Sequence, residues 1–187
     1  MHQDSWSLKA KKMGYRSRAV FKLEEILVKL HKNQINKVLD LGSAPGGWSQ
    51  FIINKYPHSK IIAVDILHME PIEGVQFIKK NIEDIDSIQL INSLKGKFDL
   101  VISDIAPNLT GISAVDNENI YELNKITINL ANIYLSEASS AVVIKTFQNS
   151  NFKSLKKEME LFFKIVQTYK PAASKNKSAE TYLYGAR

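Results

Sequence analysis

The chain has 187 residues, 44% of them hydrophobic and 24% charged, with a net charge of +6 and no cysteine. That balance fits one folded domain with a sizeable core and argues against a disordered chain. The missing thiol excludes disulfides, cysteine-rich zinc sites and cysteine nucleophiles, and with them the cysteine attack used by enzymes that methylate C5 of cytosine.

In chain order, Ser17 to Leu30 carries Val20, Leu23, Ile26, Leu27 and Leu30 at helical spacing. Lys37 to Leu41 reads as a short apolar strand, Trp48 to Tyr56 as a helix, and Lys60 to Val64 as a buried strand ending at Asp65. A third strand is expected over Val75 to Ile78, a helix over Asp84 to Leu94, and a fourth strand over Phe98 to Ser103, followed by a loop through Pro107 and Gly111. The pattern then predicts a long helix over Ile120 to Leu135, a fifth strand over Ala141 to Thr146 and a helix over Phe152 to Phe162. Two terminal strands are expected near Lys164 to Thr168 and Thr181 to Gly185. Apolar strands separated by helical patterns predict an α/β fold, a mostly parallel seven-stranded sheet with helices on both faces, in a single domain over 1–187. No apolar run approaches the roughly 18 residues of a membrane span. The polar start, Met1 to Gly14, lacks a signal-peptide core, so an intracellular protein is expected, in the cytoplasm, or in a mitochondrion or other organelle if a transit peptide has been trimmed.

Charge is unevenly placed. Lys9, Lys11, Lys12, Arg16, Arg18 and Lys22 face a single acid, Asp4, in the first 22 residues, and a second basic stretch runs through Lys153, Lys156, Lys157, Lys164, Lys170, Lys175 and Lys177. The centre is acidic, with Glu70, Glu73, Glu83, Asp84 and Asp86. Two basic ends suggest a polyanion partner, although a solvated lysine-rich surface gives the same pattern. His2, His31, His58 and His68 form no metal-ligand spacing, so no metal is expected, and the chain is expected to be a monomer.

Ligands of parallel sheets bind beyond the carboxyl ends of the strands, where this sequence places Asp40, Asp65, Asp104 and Lys145. The first strand runs into Gly42-Ser43-Ala44-Pro45-Gly46-Gly47-Trp48. Ala44 breaks the dinucleotide G-x-G-x-x-G pattern, and no Gly-Lys-Ser/Thr follows to make a P-loop. A glycine-rich turn without a pyrophosphate to hold suits the methionine part of S-adenosylmethionine, with Asp65 placed for ribose hydroxyls.

Asp40 to Gln50 (DLGSAPGGWSQ) resembles the cofactor motif of the FtsJ/RrmJ family of ribosomal RNA 2′-O-methyltransferases. Tyr15 to Leu23 (YRSRAVFKL), Ser103 to Asn108 (SDIAPN) and the ending Glu180-Thr181-Tyr182 are similar as well, so the resemblance spans nearly the whole chain in order. It implies a Rossmann-like class I methyltransferase fold, S-adenosyl-L-methionine as cofactor, RNA as partner and a catalytic group on Lys22, Asp104, Lys145 and Glu180. It also implies cofactor contacts at Gly42, Ser43, Ala44, Pro45, Gly46, Gly47 and Trp48, at Asp65 with Ile66, at Asn81 with Ile82, and at Asp104. One family acid falls on Asn81 here, which removes a charge but leaves a side-chain oxygen for the adenine amino group.

The residue chemistry runs the same way. A ribose hydroxyl must lose its proton as its oxygen attacks the sulfonium methyl, which calls for positioning and a general base. Lys145 ends an apolar strand, where burial and Lys22 favour a neutral amine while Asp104 and Glu180 oppose it. Which effect wins is open at this level, and so is which lysine is the base. Lys9, Lys11, Lys12, Arg16 and Arg18 are expected to contact RNA phosphates. Tyr15, Phe147 and Tyr182 are candidates to stack on a base, or to sit in the core. Asp104 to Asn108 lacks the Asn/Asp-Pro-Pro-aromatic motif of adenine N-methyltransferases and resembles the ribosomal more than the transfer RNA branch of the family. The expected substrate is a uridine of large-subunit ribosomal RNA. Transfer RNA methylation and a non-catalytic ribosome-assembly role are the alternatives.

Overall fold

The computed structural model describes residues 5–30, 34–108, 110–175 and 178–187. Asp4, His2, His31 and Lys177 lie outside them. Seven strands, β1 (Lys37–Leu41), β2 (Lys60–Asp65), β3 (Val75–Lys79), β4 (Leu100–Ser103), β5 (Ala141–Phe147), β6 (Ile165–Tyr169) and β7 (Glu180–Ala186), form one sheet in the order β3-β2-β1-β4-β5-β7-β6. The pairings from β3 through β5 are parallel, and β7 runs antiparallel to both β5 and β6. Every expected strand is present within a residue or two.

Alternation of side chains explains why the central strands are mostly apolar. Val38, Leu100, Ile102, Val143, Tyr182 and Tyr184 pack on one face, with Trp48, Phe51 and Ile52 of helix α3 (Gly47–Lys55) and Leu23, Ile26 and Leu27 of helix α2 (Ala19–Lys29). Their sequence neighbours Leu39, Val101, Val142, Ile144 and Leu183 pack on the other face. There they meet Ile128, Ala131 and Tyr134 of helix α5 (Ser113–Tyr134) and Leu155 and Met159 of helix α6 (Phe152–Glu160). Successive residues point to opposite faces, so a strand covered on both sides is apolar at most of its positions. Each such buried aliphatic side chain contributes about 1.5–3 kcal/mol.

Three local departures have physical causes. Helix α1 (Ser5–Lys12) has little amphipathic pattern, and it is held by one buried residue, Ala10, and by Trp6, whose ring lies tilted 5.3 Å from that of Phe21. The helix expected over Asp84 to Leu94 is instead a 3₁₀ turn (Ile82–Ser87) and a short helix α4 (Gln89–Asn92), because extended Ile88 interrupts the run. Asn81 caps the 3₁₀ turn, its Oδ1 accepting from the Glu83 amide at 3.1 Å. Helix α5 begins seven residues before Ile120 because Asp116 accepts from the Thr110 and Gly111 amides and the Thr110 hydroxyl, tying the preceding loop to its first turn.

The strand order reverses between β1 and β4, which lie side by side yet send their connections in opposite directions. The crevice at this switch point is where an open α/β sheet binds its ligand.

Candidate active site

Beyond the carboxyl ends of β1, β2 and β4 lies a cleft of about 490 Å³, within the range of small-molecule sites. Its lining includes Gly42, Ala44, Asp65, Ile66, Asn81, Ile82 and Asp104, all expected from sequence, and also Glu83, Ile105, Pro107 and Asn119. Gly42 has φ +72°, and a Cβ there would stand 1.8 Å from the Ile105 side chain, so this corner needs glycine for both conformation and space. Asp65 draws the cleft together. One carboxylate oxygen accepts from the Ala44 amide at 2.8 Å and the other from the Leu67 amide at 2.7 Å.

The other half of the glycine loop serves the scaffold. Gly46 takes φ +100° at the start of α3, and a Cβ on Gly47 would stand 2.6 Å from Ser17 Oγ. Trp48 is buried under the sheet, donating its indole N–H to the Ala19 carbonyl at 2.8 Å and standing 5.9 Å from the Tyr182 ring. Ser43, Pro45, Gly46, Gly47 and Trp48 lie in the turn and the first residues of α3, next to the residues that line the cleft. Asn81 does reach the wall, but its oxygen is already the cap of the 3₁₀ turn and its amide donates to Glu83 Oε2 at 3.3 Å. The carboxylate at this end of the cleft is Glu83, which sequence reasoning passed over. Its only signal there was an acid two residues after Asn81.

The four catalytic candidates converge although they lie far apart in sequence. Lys22 Nζ is 2.6 Å from Glu180 Oε1, with the Lys22 side chain 6% exposed, and Lys145 Nζ is 3.3 Å from Asp104 Oδ1. Lys145 also donates to the Asp104 main-chain carbonyl. Tyr182, placed in sequence only as a stacking or core candidate, joins the two pairs. Its hydroxyl donates to Asp104 Oδ1 at 3.0 Å and lies 3.5 Å from Glu180 Oε1. Ser174 adds a hydrogen bond to Glu180 Oε1 at 2.9 Å. Burial pushes the Glu180 carboxyl up, but hydrogen bonds from Lys22 and Ser174 and the charges of both lysines outweigh it and hold the group below its ordinary range. Burial first, and then the carboxylates of Asp104 and Glu180, push the Tyr182 phenol well up, so it remains a donor.

Asp40 behaves differently from the other strand-end charges. It is buried beneath the glycine turn and accepts from Ser49 Oγ at 2.6 Å. Burial, with smaller contributions from the charges of Asp104 and Asp65, raises its pKa to about 7 against the Ser49 hydrogen bond. Between its unfolded value near 4 and about 7 the folded chain keeps a proton that the unfolded chain has released. Stability is therefore lost as pH rises through that window and is level above it. Asp40→Asn, which still accepts from Ser49, is expected to flatten the fall in Tm between pH ~4 and ~7. Parallel wild-type and variant Tm curves would contradict this.

The basic residues divide. Lys9, Lys11 and Lys12 are exposed in the last turn of α1, with Lys9 lying 4.6 Å over the Phe21 ring. Arg18 is the residue preceding α2. Arg16 points inward, its guanidinium donating to the carbonyls of Pro45, Glu70 and Pro71 at 3.1, 2.6 and 2.7 Å. It thereby clamps the glycine loop to the segment after β2.

A Rossmann-like sheet with a glycine turn at its switch point, an acid at the end of β2 and a buried lysine–carboxylate cluster beside the cleft defines a class I methyltransferase. The sequence profile of the FtsJ-like methyltransferases matches residues 15–187, and the chain belongs to that family. It is similar to ribosomal RNA large subunit methyltransferase E of Wigglesworthia glossinidia brevipalpis, 38% identical over 97% of this chain and 90% of the relative. The protein of the same name from Variovorax paradoxus is 40% identical over 94% and 84%. Among solved structures, a ribosomal RNA methyltransferase from Plasmodium falciparum superposes with TM-score 0.80 at 31% identity, covering 92% of this chain and 98% of that one. The enzyme is thus an S-adenosylmethionine-dependent methyltransferase. The lining fits that cofactor in kind: carboxylates at Asp65 and Glu83, the Asn81 carboxamide, and apolar walls at Ile66, Ile82 and Ile105.

Proposed function

We propose that this enzyme methylates the ribose 2′-hydroxyl of a uridine in large-subunit ribosomal RNA. The carrying observation is the pair of lysine–carboxylate contacts joined through Tyr182 beside the cofactor cleft. This cluster can move a proton from a hydroxyl, and the chain has no thiol with which to attack a base. The named relatives, similar over nearly the whole chain, support the ribosomal substrate.

When bound, S-adenosylmethionine supplies an electrophilic methyl group. Lys145 is the lysine nearer the cleft, since it contacts Asp104, which lines it. In its neutral form Lys145 Nζ takes the 2′-hydroxyl proton. Asp104 orients Lys145 from two sides, with its carboxylate and its main-chain carbonyl. Lys22, held by Glu180, supplies a fixed positive charge for the developing alkoxide. Tyr182 keeps both carboxylates in register. Lys9, Lys11, Lys12 and Arg18 carry RNA phosphates toward this group, whereas Arg16 serves the approach indirectly by fixing the glycine loop.

The test uses methyl-labelled S-adenosylmethionine with large ribosomal subunits, naked ribosomal RNA and transfer RNA in parallel, and maps the label to ribose or base. Ribose label on the subunits or their RNA is the expected result. Label on transfer RNA would overturn the substrate, and cofactor binding with no accepting RNA would indicate an assembly role.

A further inference from the structure

A ribose presented to Lys145 carries its base on the adjoining carbon, so some surface within reach must receive that base. Of the three aromatic candidates, Tyr182 has no exposed surface, and its hydroxyl is committed to the carboxylates. Tyr15 packs edge-on against Phe21 at 6.3 Å and leans on the core beneath α2. Phe147 is different. It is the last residue of β5 and is half-buried, yet it packs with neither of the two core clusters. Among the described residues no aromatic ring or cation lies against it.

The strand register places this ring at the site. In the antiparallel β5–β7 pair, Phe147 stands opposite Glu180 and Lys145 opposite Tyr182. Directly opposed residues share a face of the sheet, and so do residues two apart. Phe147, Glu180, Lys145 and Tyr182 therefore stand on one face, with Phe147 one step beyond Lys145 along the strand. Two residues of strand advance about 6.6 Å, close to the width of a nucleoside.

We propose that Phe147 is the stacking platform for the base of the methylated nucleotide. Its ring receives the base once the nucleotide has left its neighbours in the RNA, and so fixes the ribose with its 2′-hydroxyl toward Lys145. Because every base offers a π-face, such a platform positions the nucleotide without selecting its sequence. This inference rests on the RNA 2′-O-methylation reading and names a residue that positions the substrate.

Two readouts separate the inference from that reading. The first is the Kd of a fluorescein-labelled oligouridylate by anisotropy, and the second is kcat/KM for methylation of large ribosomal subunits. Both are measured for wild type, Phe147→Leu, Phe147→Ala and Phe147→Tyr, alongside the Kd for S-adenosylhomocysteine and Tm. The expectation is a loss of roughly 5- to 150-fold in RNA affinity and kcat/KM for the Leu and Ala variants. Phe147→Tyr should stay near wild type, with cofactor binding and Tm unchanged throughout. Leucine has nearly the bulk of phenylalanine without the π-face, so Phe147→Leu at wild-type levels overturns the platform while the methylation reading stands. The converse result, oligouridylate binding that needs the ring in an enzyme that labels no RNA, overturns the methylation reading and keeps the platform. Wild type that neither binds oligouridylate nor methylates overturns both.

Discussion

Lys145→Ala is expected to slow methyl transfer to RNA by about 10²- to 10⁴-fold, the range associated with removing a positioned general base. Lys145 reaches the cofactor cleft only through Asp104, so affinity for S-adenosylhomocysteine is expected to stay near that of wild type. Lys145→Arg should be nearly as slow as the alanine variant, because a guanidinium keeps its protons at any working pH. Single-turnover label transfer under saturating cofactor reads the chemical step directly. A Lys145→Arg enzyme with most of the wild-type rate would show that the residue contributes charge and not basicity, and would move the base to Lys22 or to solvent.

The second large effect is on binding. In Asp65→Ala the amides of Ala44 and Leu67 both lose their acceptor, and the segments that follow β1 and β2 lose their common anchor. Hydrogen bonds to a charged group contribute about 1.5–3 kcal/mol each, and part of that loss falls on the unliganded loop. The expected outcome is a fall of about a hundredfold in affinity for S-adenosylhomocysteine by calorimetry, equivalent to ~2.7 kcal/mol. Asp65→Asn should fall between wild type and alanine, since its carboxamide offers an acceptor to only one of the two amides. A calorimetric Kd for Asp65→Ala within threefold of wild type would mean that the cleft is held open by the glycine turn alone.

These two residues were legible in different ways. Asp65 was visible because a charged residue closes an otherwise apolar strand, a pattern that survives without knowledge of neighbours. Lys145 was visible for the same reason, but its partners were not. Whether its amine meets Asp104, Glu180 or solvent depends on how β5 lies between β4 and β7, and that is a property of the assembled sheet.

The N-terminal basic stretch shows the same limit. Lys9, Lys11, Lys12, Arg16 and Arg18 are alike in charge and closely spaced, so the sequence offers no basis for separating them. In the fold, Arg16 turns onto the carbonyls of Pro45, Glu70 and Pro71, contacts up to 55 residues away in the chain. Trp48 and Tyr182 were likewise legible as aromatics near motifs but not as a contacting pair beneath the lysine–carboxylate cluster.

The sequence by itself determined the strand count, the two-sided burial of the sheet, the glycine turn and the strand-end charges of Asp40, Asp65, Asp104 and Lys145, whereas Lys22 and Glu180 were legible only through the family resemblance. Periodicity, backbone freedom and charge at strand ends are local properties that composition and spacing encode. Only the tertiary structure decided the pairing of Lys22 with Glu180 and Lys145 with Asp104, the place of Tyr182 between them, the inward turn of Arg16 and the half-buried ring of Phe147. Each of these depends on distances across the sheet between residues far apart in the chain, which are set by packing and strand register.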